Sequence, residues 1–148
     1  MKTKEDCFLK VKSDYLKFLN KEKIYSKSTA TKIESLKRFY IPMAFWIEKK
    51  YKKKGEILFL GISGGQGSGK TTVSKILKII LKKFFKRKIQ VSSLDDFYKT
   101  LKERKIMSRK VHNLFKTRGV PGTHDINLLK SFFYKLKKKN FKKFKLPK

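Results

Sequence analysis

The sequence predicts an α/β fold in which a parallel sheet with flanking helices follows an N-terminal helical segment. Three observations lead there. A glycine-rich loop, Gly64–Thr71, sits between a short apolar run and an amphipathic segment. Residues 89–94 after that segment read as a second strand, so strand, helix and strand succeed one another as in a βαβ unit. Before residue 55 the apolar residues recur at helical spacing. The chain therefore reads as an N-terminal helical segment, 1–54, and a core, 55–148.

In the first segment, Phe8, Val11, Tyr15 and Leu19 are spaced by three and four, which makes one helix face apolar. A second helical stretch follows Ser28–Thr31, with Ile33, Leu36, Phe39 and Tyr40 on one side. Pro42 marks a break or kink, because it has no N–H to give. Met43, Phe45, Trp46 and Ile47 form an apolar cluster. The charged run 48–54 ends at Gly55 and reads as a connector. Ile57–Ile62 is apolar without alternation, as in a strand buried on both faces. Residues 72–85 read as a helix with Val73, Ile76, Leu77, Ile80 and Phe84 on one face. Further on, Met107, Val111, Leu114 and Phe115 give one more helical face. Residues 118–125 contain two Gly and a Pro and read as a loop. Asp125 is placed to cap a helix carrying Leu128, Leu129, Phe132, Phe133 and Leu136. Phe141, Phe144 and Leu146 fit a third strand or a tail, which would leave the sheet incomplete at its C-terminal side.

The 148 residues suffice for one modest core. Against 41 basic residues stand 11 acidic ones, for a net charge of +30. Such a charge attracts polyanions without regard to sequence. Only Arg38, Arg87, Arg104, Arg109 and Arg118 are arginines; the other basic residues are lysines. Readers of specific nucleic-acid sequences favour the arginine fork. Lys, Ile, Phe, Asn and Tyr together match what an AT-rich coding sequence yields. No helix-turn-helix, zinc-finger spacing or RNP-type aromatic motif is present. Specific nucleic-acid binding is therefore not expected. The lone cysteine, Cys7, near a mobile end, rules out an internal disulfide framework and a cysteine zinc site. The first residues lack the apolar core of a signal peptide, and no apolar run is long enough to span a bilayer. A soluble cytoplasmic protein without membrane contact is expected; the oligomeric state is not legible.

Gly64-Gly65-Gln66-Gly67-Ser68-Gly69-Lys70-Thr71 satisfies the phosphate-loop pattern G-x-x-x-x-G-K-[ST]. Glycines admit positive φ and let the backbone approach an anion closely. Their amides and the positive end of the following helix cradle phosphates. Lys70 is placed for the β- and γ-phosphates of ATP, and the Thr71 hydroxyl for Mg²⁺. Thr72, one step into the helix, is placed for the α-phosphate. The expected fold is thus of the P-loop type.

Ser93-Leu94-Asp95-Asp96-Phe97-Tyr98 follows the second expected strand. Ligands of open α/β sheets gather at the carboxyl ends of strands, which would set Asp95 facing the same crevice as Lys70. A carboxylate there takes a proton from an attacking hydroxyl or holds a metal. Equally, an Asp at such a junction serves as a helix N-cap. Both readings stand on spacing.

Three stretches together resemble one family. Residues 61–72, residues 93–98 and Arg118-Gly119-Val120-Pro121-Gly122-Thr123-His124-Asp125 are similar to the P-loop D-glycerate 3-kinases, of the phosphoribulokinase, uridine kinase and pantothenate kinase group. The third stretch discriminates most, and the likeness runs from about Tyr40 onward. It implies MgATP-dependent transfer of the γ-phosphoryl group to a hydroxyl of D-glycerate, with Asp95 as base. It leaves Asp96 as a candidate metal ligand beside Thr71. Arg118 and His124 fall in the substrate-side loop, where Arg118 could pair a carboxylate in a fork. His124 is either a donor to the substrate or structural. The family runs on where this chain ends, through Phe-Asp-Lys and a later Asp-Arg pair, so the chain reads as an N-terminal fragment of such an enzyme. The alternatives are a related kinase with a nucleoside or pantothenate acceptor, and a basic nucleic-acid-binding module.

Overall fold

The computed structural model describes residues 2–24 and 28–138. They form six α-helices: α1 (Lys4–Lys21), α2 (Thr29–Ser35), α3 (Ile41–Lys54), α4 (Lys70–Lys83), α5 (Leu101–Lys110) and α6 (Ile126–Lys137). The chain divides into two compact units, Met1–Val91 and Ser92–Lys148.

Among the described residues the expected parallel sheet is not there. Neither 57–62 nor 89–94 is a strand, and among the described residues β pairing is limited to one isolated antiparallel bridge, Tyr98 with His124. The first run is irregular, with Leu60 45% and Ile62 37% exposed. Apolar side chains favour a pleated, buried surface, but the ladder bonds of a strand belong to a pair of segments. An unalternating apolar run carries no record of its partner. Among the described residues the fold is helical with irregular connections. Phe141, Phe144 and Leu146 lie outside the described residues.

The first unit is built around α4. A capping box starts α1: Asp6 N–H donates to Thr3 Oγ1 at 3.1 Å, and Thr3 N–H donates to Asp6 Oδ2 at 3.0 Å. The α1 face foreseen from spacing, Phe8, Val11, Tyr15 and Leu19, is buried together with Cys7. It packs on α4, whose Ile76, Leu77, Ile80 and Leu81 are also buried, and α3 adds Ile41, Ala44 and Ile47. Phe45, Phe84 and Phe85 close this core edge to face, with Phe45–Phe85 centroids 5.0 Å apart. Replacing Ile80, fully buried here, by alanine is expected to cost ~3 kcal/mol. A urea titration reads this as a lower midpoint with little change of slope.

Pro42 neither breaks nor ends its helix. Residues 36–40 form a π-helical turn between α2 and α3, in which the Ile41 N–H reaches back to the Leu36 carbonyl. Pro42 then enters α3 in its first turn, where a missing N–H costs least. The wider turn accommodates the proline and keeps the helical path continuous. The charged run 48–54 is no connector either. It is the last part of α3, which Gly55 closes with φ of 70°.

Glu48 is buried in that run and meets Arg87, whose Nε donates to Oε2 at 2.9 Å and whose Nη2 donates to Oε1. The Arg87 guanidinium also lies 4.6 Å from the Tyr51 ring centroid. The hydrogen bond from Arg87 holds the Glu48 carboxyl below its ordinary pKa, against the opposing effect of burial. A carboxylate with a lowered folded pKa stabilises the fold above its unfolded pKa, and the gain is lost as pH falls through the folded value. Wild type should therefore be more stable than Glu48→Gln at pH 7, and the difference should shrink below the ordinary carboxylate range. Thermal melts at a series of pH values check this.

In the second unit, Phe97 is buried against Phe132 of α6, with ring centroids 5.1 Å apart. Asp125 caps α6 as its position suggests, accepting from the Leu128 N–H at 2.9 Å. The single helical face expected across Met107–Phe115 is split. Helix α5 ends at Lys110, Val111 and Leu114 are exposed, and residues 113–116 form a separate 3-10 turn. What is buried there is Arg104, whose Nε donates to the Lys99 carbonyl at 3.2 Å and whose Nη1 donates to that of Lys116. Two backbone oxygens thus hold the buried Arg104 between the start of this segment and the 3-10 turn that follows it.

Candidate phosphate-binding site

Residues 61–69 are exposed and lead directly into α4. Gly67 and Gly69 take φ of 76° and 80°, a region costly for any side chain with a Cβ. Gly69 is the N-cap of α4 and offers no side-chain acceptor to the first-turn amides. The Val73 N–H bonds to the Gly69 carbonyl at 2.9 Å, which leaves the amides of Lys70, Thr71 and Thr72 as the unpaired donors every helix start carries. A Cβ added at Gly65, Gly67 or Gly69 would meet nothing within 4 Å, whereas one at Gly64 would come within 2.8 Å of Ser68 Oγ. The result is an open concave backbone with its donors and the helix dipole at one end, which suits an oxyanion.

Lys70 folds back over this loop. Its Nζ donates to the carbonyls of Gly64 and Gly65, each at 2.7 Å. The ammonium thus lies along the loop it would serve, held by two neutral acceptors that an anionic phosphate oxygen can outcompete. Thr71 is exposed and Thr72 half-buried in the first turn. Gln66 and Ser68 are exposed, and the Ser68 N–H closes a turn onto the Gly65 carbonyl at 3.3 Å. The helix is anchored on its far side by the core and at its flank by ion pairs from Lys75 to Glu22, at 2.9 Å, and from Lys83 to Asp14.

The remaining sequence-expected residues belong to the second unit. Asp95 and Asp96 open a 3-10 turn over residues 94–97. Ser93 and Asp96 form its capping box: the Ser93 N–H donates to Asp96 Oδ2 at 2.8 Å, and the Asp95 N–H donates to Ser93 Oγ at 3.2 Å. The S-x-x-D spacing was a readable signal of this structural role. The Asp96 carboxylate is therefore partly committed, while that of Asp95 is exposed and makes no hydrogen bond or ion pair among the described residues. Among those residues no three His, Cys, Asp or Glu side chains gather as a metal site.

Arg118 and His124 both lie against Tyr98, a residue that sequence reasoning did not single out. The Tyr98 and His124 rings stack with centroids 4.0 Å apart and planes 26° off parallel. The Arg118 guanidinium lies 5.6 Å from the Tyr98 centroid. Tyr98 ends the stretch matched by residues 93–98, which is the one signal that could have found it.

Cys7 takes no part in such chemistry. Rather than lying at a mobile end, it is fully buried in α1, and burial pushes its thiol up to about 11. A neutral, buried thiol is a poor nucleophile.

Comparison with known proteins agrees with the kinase resemblance. The uncharacterized kinase mug58 of Schizosaccharomyces pombe is 40% identical over 86 residues, covering 57% of this chain and 31% of its own length. The chloroplastic D-glycerate 3-kinase of Arabidopsis thaliana is 33% identical over 113 residues, 69% of this chain and 25% of the relative. The pantothenate kinase of Lactococcus lactis is 32% identical over 91 residues, 61% of this chain and 28% of the relative. The chain thus spans about a quarter to a third of the length of these three relatives. No protein-family model matches it, nor does any solved structure. Among the described residues no helix is long and apolar enough to cross a membrane.

Proposed function

We propose that this chain carries the phosphate-binding part of an ATP-dependent small-molecule kinase whose acceptor is D-glycerate. The observation that carries this reading is the loop at residues 64–72: positive φ at Gly67 and Gly69, an uncapped helix start, and Lys70 laid along it. The likeness to a D-glycerate 3-kinase supports the choice of acceptor.

In this reading the loop amides and Lys70 hold the β- and γ-phosphates, and the Thr72 amide and hydroxyl meet the α-phosphate. Mg²⁺ accompanies the nucleotide. The exposed Thr71 hydroxyl would be its protein donor, and the ion would supply neutralisation of charge on the phosphates. With one oxygen committed to the Ser93 amide, Asp96 contributes at most through its other oxygen. Asp95 takes the proton of the acceptor hydroxyl. The hydroxyl oxygen bonds to the γ-phosphorus as the bond from that phosphorus to the β–γ bridging oxygen breaks, and ADP leaves. Arg118 and His124 serve the acceptor's carboxylate.

A second reading keeps the chemistry and changes the acceptor to pantothenate, as the bacterial relative suggests. The test is a coupled assay with MgATP and a panel of D-glycerate, pantothenate and uridine. Phosphorylation of D-glycerate above the others is expected. Turnover of pantothenate alone would reassign the acceptor, and turnover of none would count against the kinase reading.

A further inference from the structure

We infer that Tyr98 is a positioning residue: its ring assembles Arg118 and His124 into a two-donor receptor for the carboxylate of the acceptor. This rests on the kinase reading and extends it to a residue without an assigned role.

The backbone explains why the three side chains meet. Lys99 N–H donates to the Thr123 carbonyl at 2.8 Å, and Asp125 N–H donates to the Phe97 carbonyl at 2.7 Å. These bonds flank Tyr98 and His124 and make them a non-hydrogen-bonded antiparallel pair, the geometry in which facing side chains lie closest. Side-chain direction alternates across the bridge. Phe97 and Thr123 point inward and are 2% and 0% exposed, so Tyr98 and His124 point the other way and remain half-buried.

The turn before the bridge is fixed as well. Gly119 and Gly122 have φ of 93° and 88°, and Thr123 N–H bonds to the Val120 carbonyl at 3.1 Å. The Thr123 hydroxyl donates to the same carbonyl at 2.5 Å. That turn leads the chain from Arg118 back to His124. An aromatic face attracts a guanidinium and packs flat against an imidazole, so it limits the rotamers of both donors at little cost in hydration. Two donors held on one ring match the two oxygens of a carboxylate better than two free side chains, because less freedom is lost on binding. The exposed position of Arg118 leaves its fork accessible.

The test uses the full chain in wild-type, Tyr98→Ala and Tyr98→Phe forms. The Tyr98→Ala change should raise the KM for D-glycerate by about tenfold, or ~1.4 kcal/mol, and leave kcat and the KM for ATP nearly unchanged. The Tyr98→Phe change should restore wild-type values, since the ring and not the hydroxyl does the positioning. A second readout does not need turnover. The chain has two histidines, His112 and His124, so their imidazole proton resonances are separable by a His112→Gln variant. Titrated D-glycerate should shift the His124 resonance and not that of His112, and Tyr98→Ala should abolish the shift. An unmoved His124 resonance in wild type overturns the inference even if the enzyme turns over. A shift without turnover supports the receptor and counts against the kinase reading. Parallel loss of KM for ATP and D-glycerate in Tyr98→Ala would mark the ring as merely structural and overturn the inference.

Discussion

Lys70→Ala is expected to lower phosphoryl transfer by at least ~100-fold and to remove most of the affinity for MgATP. The size follows from what the side chain is placed to do. Transferring a phosphoryl group is mainly a matter of positioning and of stabilising charge, and a lysine on the β- and γ-phosphates supplies both. Losing one preorganised donor to developing charge costs about 100- to 1,000-fold in other enzymes. Lys70 also holds the loop itself, through its two 2.7 Å bonds to the Gly64 and Gly65 carbonyls. The fold should survive the change. The residue is at the start of α4 and outside the buried core, so the urea midpoint should stay close to wild type. Isothermal titration with MgATP, beside that unfolding curve, separates lost binding from lost structure. Wild-type affinity in Lys70→Ala would remove the lysine from the site.

The second large effect is expected at Asp95. A general base contributes about 100- to 10,000-fold to a proton transfer. Asp95→Asn keeps the shape and removes the proton acceptor, so kcat should fall by about that factor while the KM for ATP stays near wild type. The local turn should persist, because its cap is made by Ser93 and Asp96 and not by the Asp95 carboxylate. Asp96→Asn is the informative contrast, with a milder effect on kcat. Steady-state rates for the two variants under saturating ATP make the comparison. Equal and small losses would remove Asp95 from the role of base.

How far the sequence disclosed these features depends on the range of the interaction. The loop was legible because its requirements are local: glycines where φ is positive, and a lysine and threonine at the helix start. The buried faces of α1 and α4 were legible because 3.6-residue periodicity marks them, and the Asp125 cap because capping is a contact three residues long. The sheet was misread because apolar content does not specify a partner segment. Of the break or kink expected at Pro42, the break is absent because a π-helical turn precedes the proline and carries the chain into α3. Glu48 falls in a charged run that reads as a connector, yet it is buried in α3 and paired with Arg87, far along the chain. The Tyr98–His124 stack was out of reach for the same reason. It depends on a bridge between distant segments and on the turn that Gly119 and Gly122 permit.

The most direct measurement of the central claim is a titration of the chain with MgATP, followed by the backbone amide resonances of the folded protein. The account predicts that the largest shifts fall on Gly67–Thr72, saturate with one nucleotide per chain, and vanish in Lys70→Ala. Amides of that loop left unmoved at saturating nucleotide, or shifts confined to other residues, would contradict it.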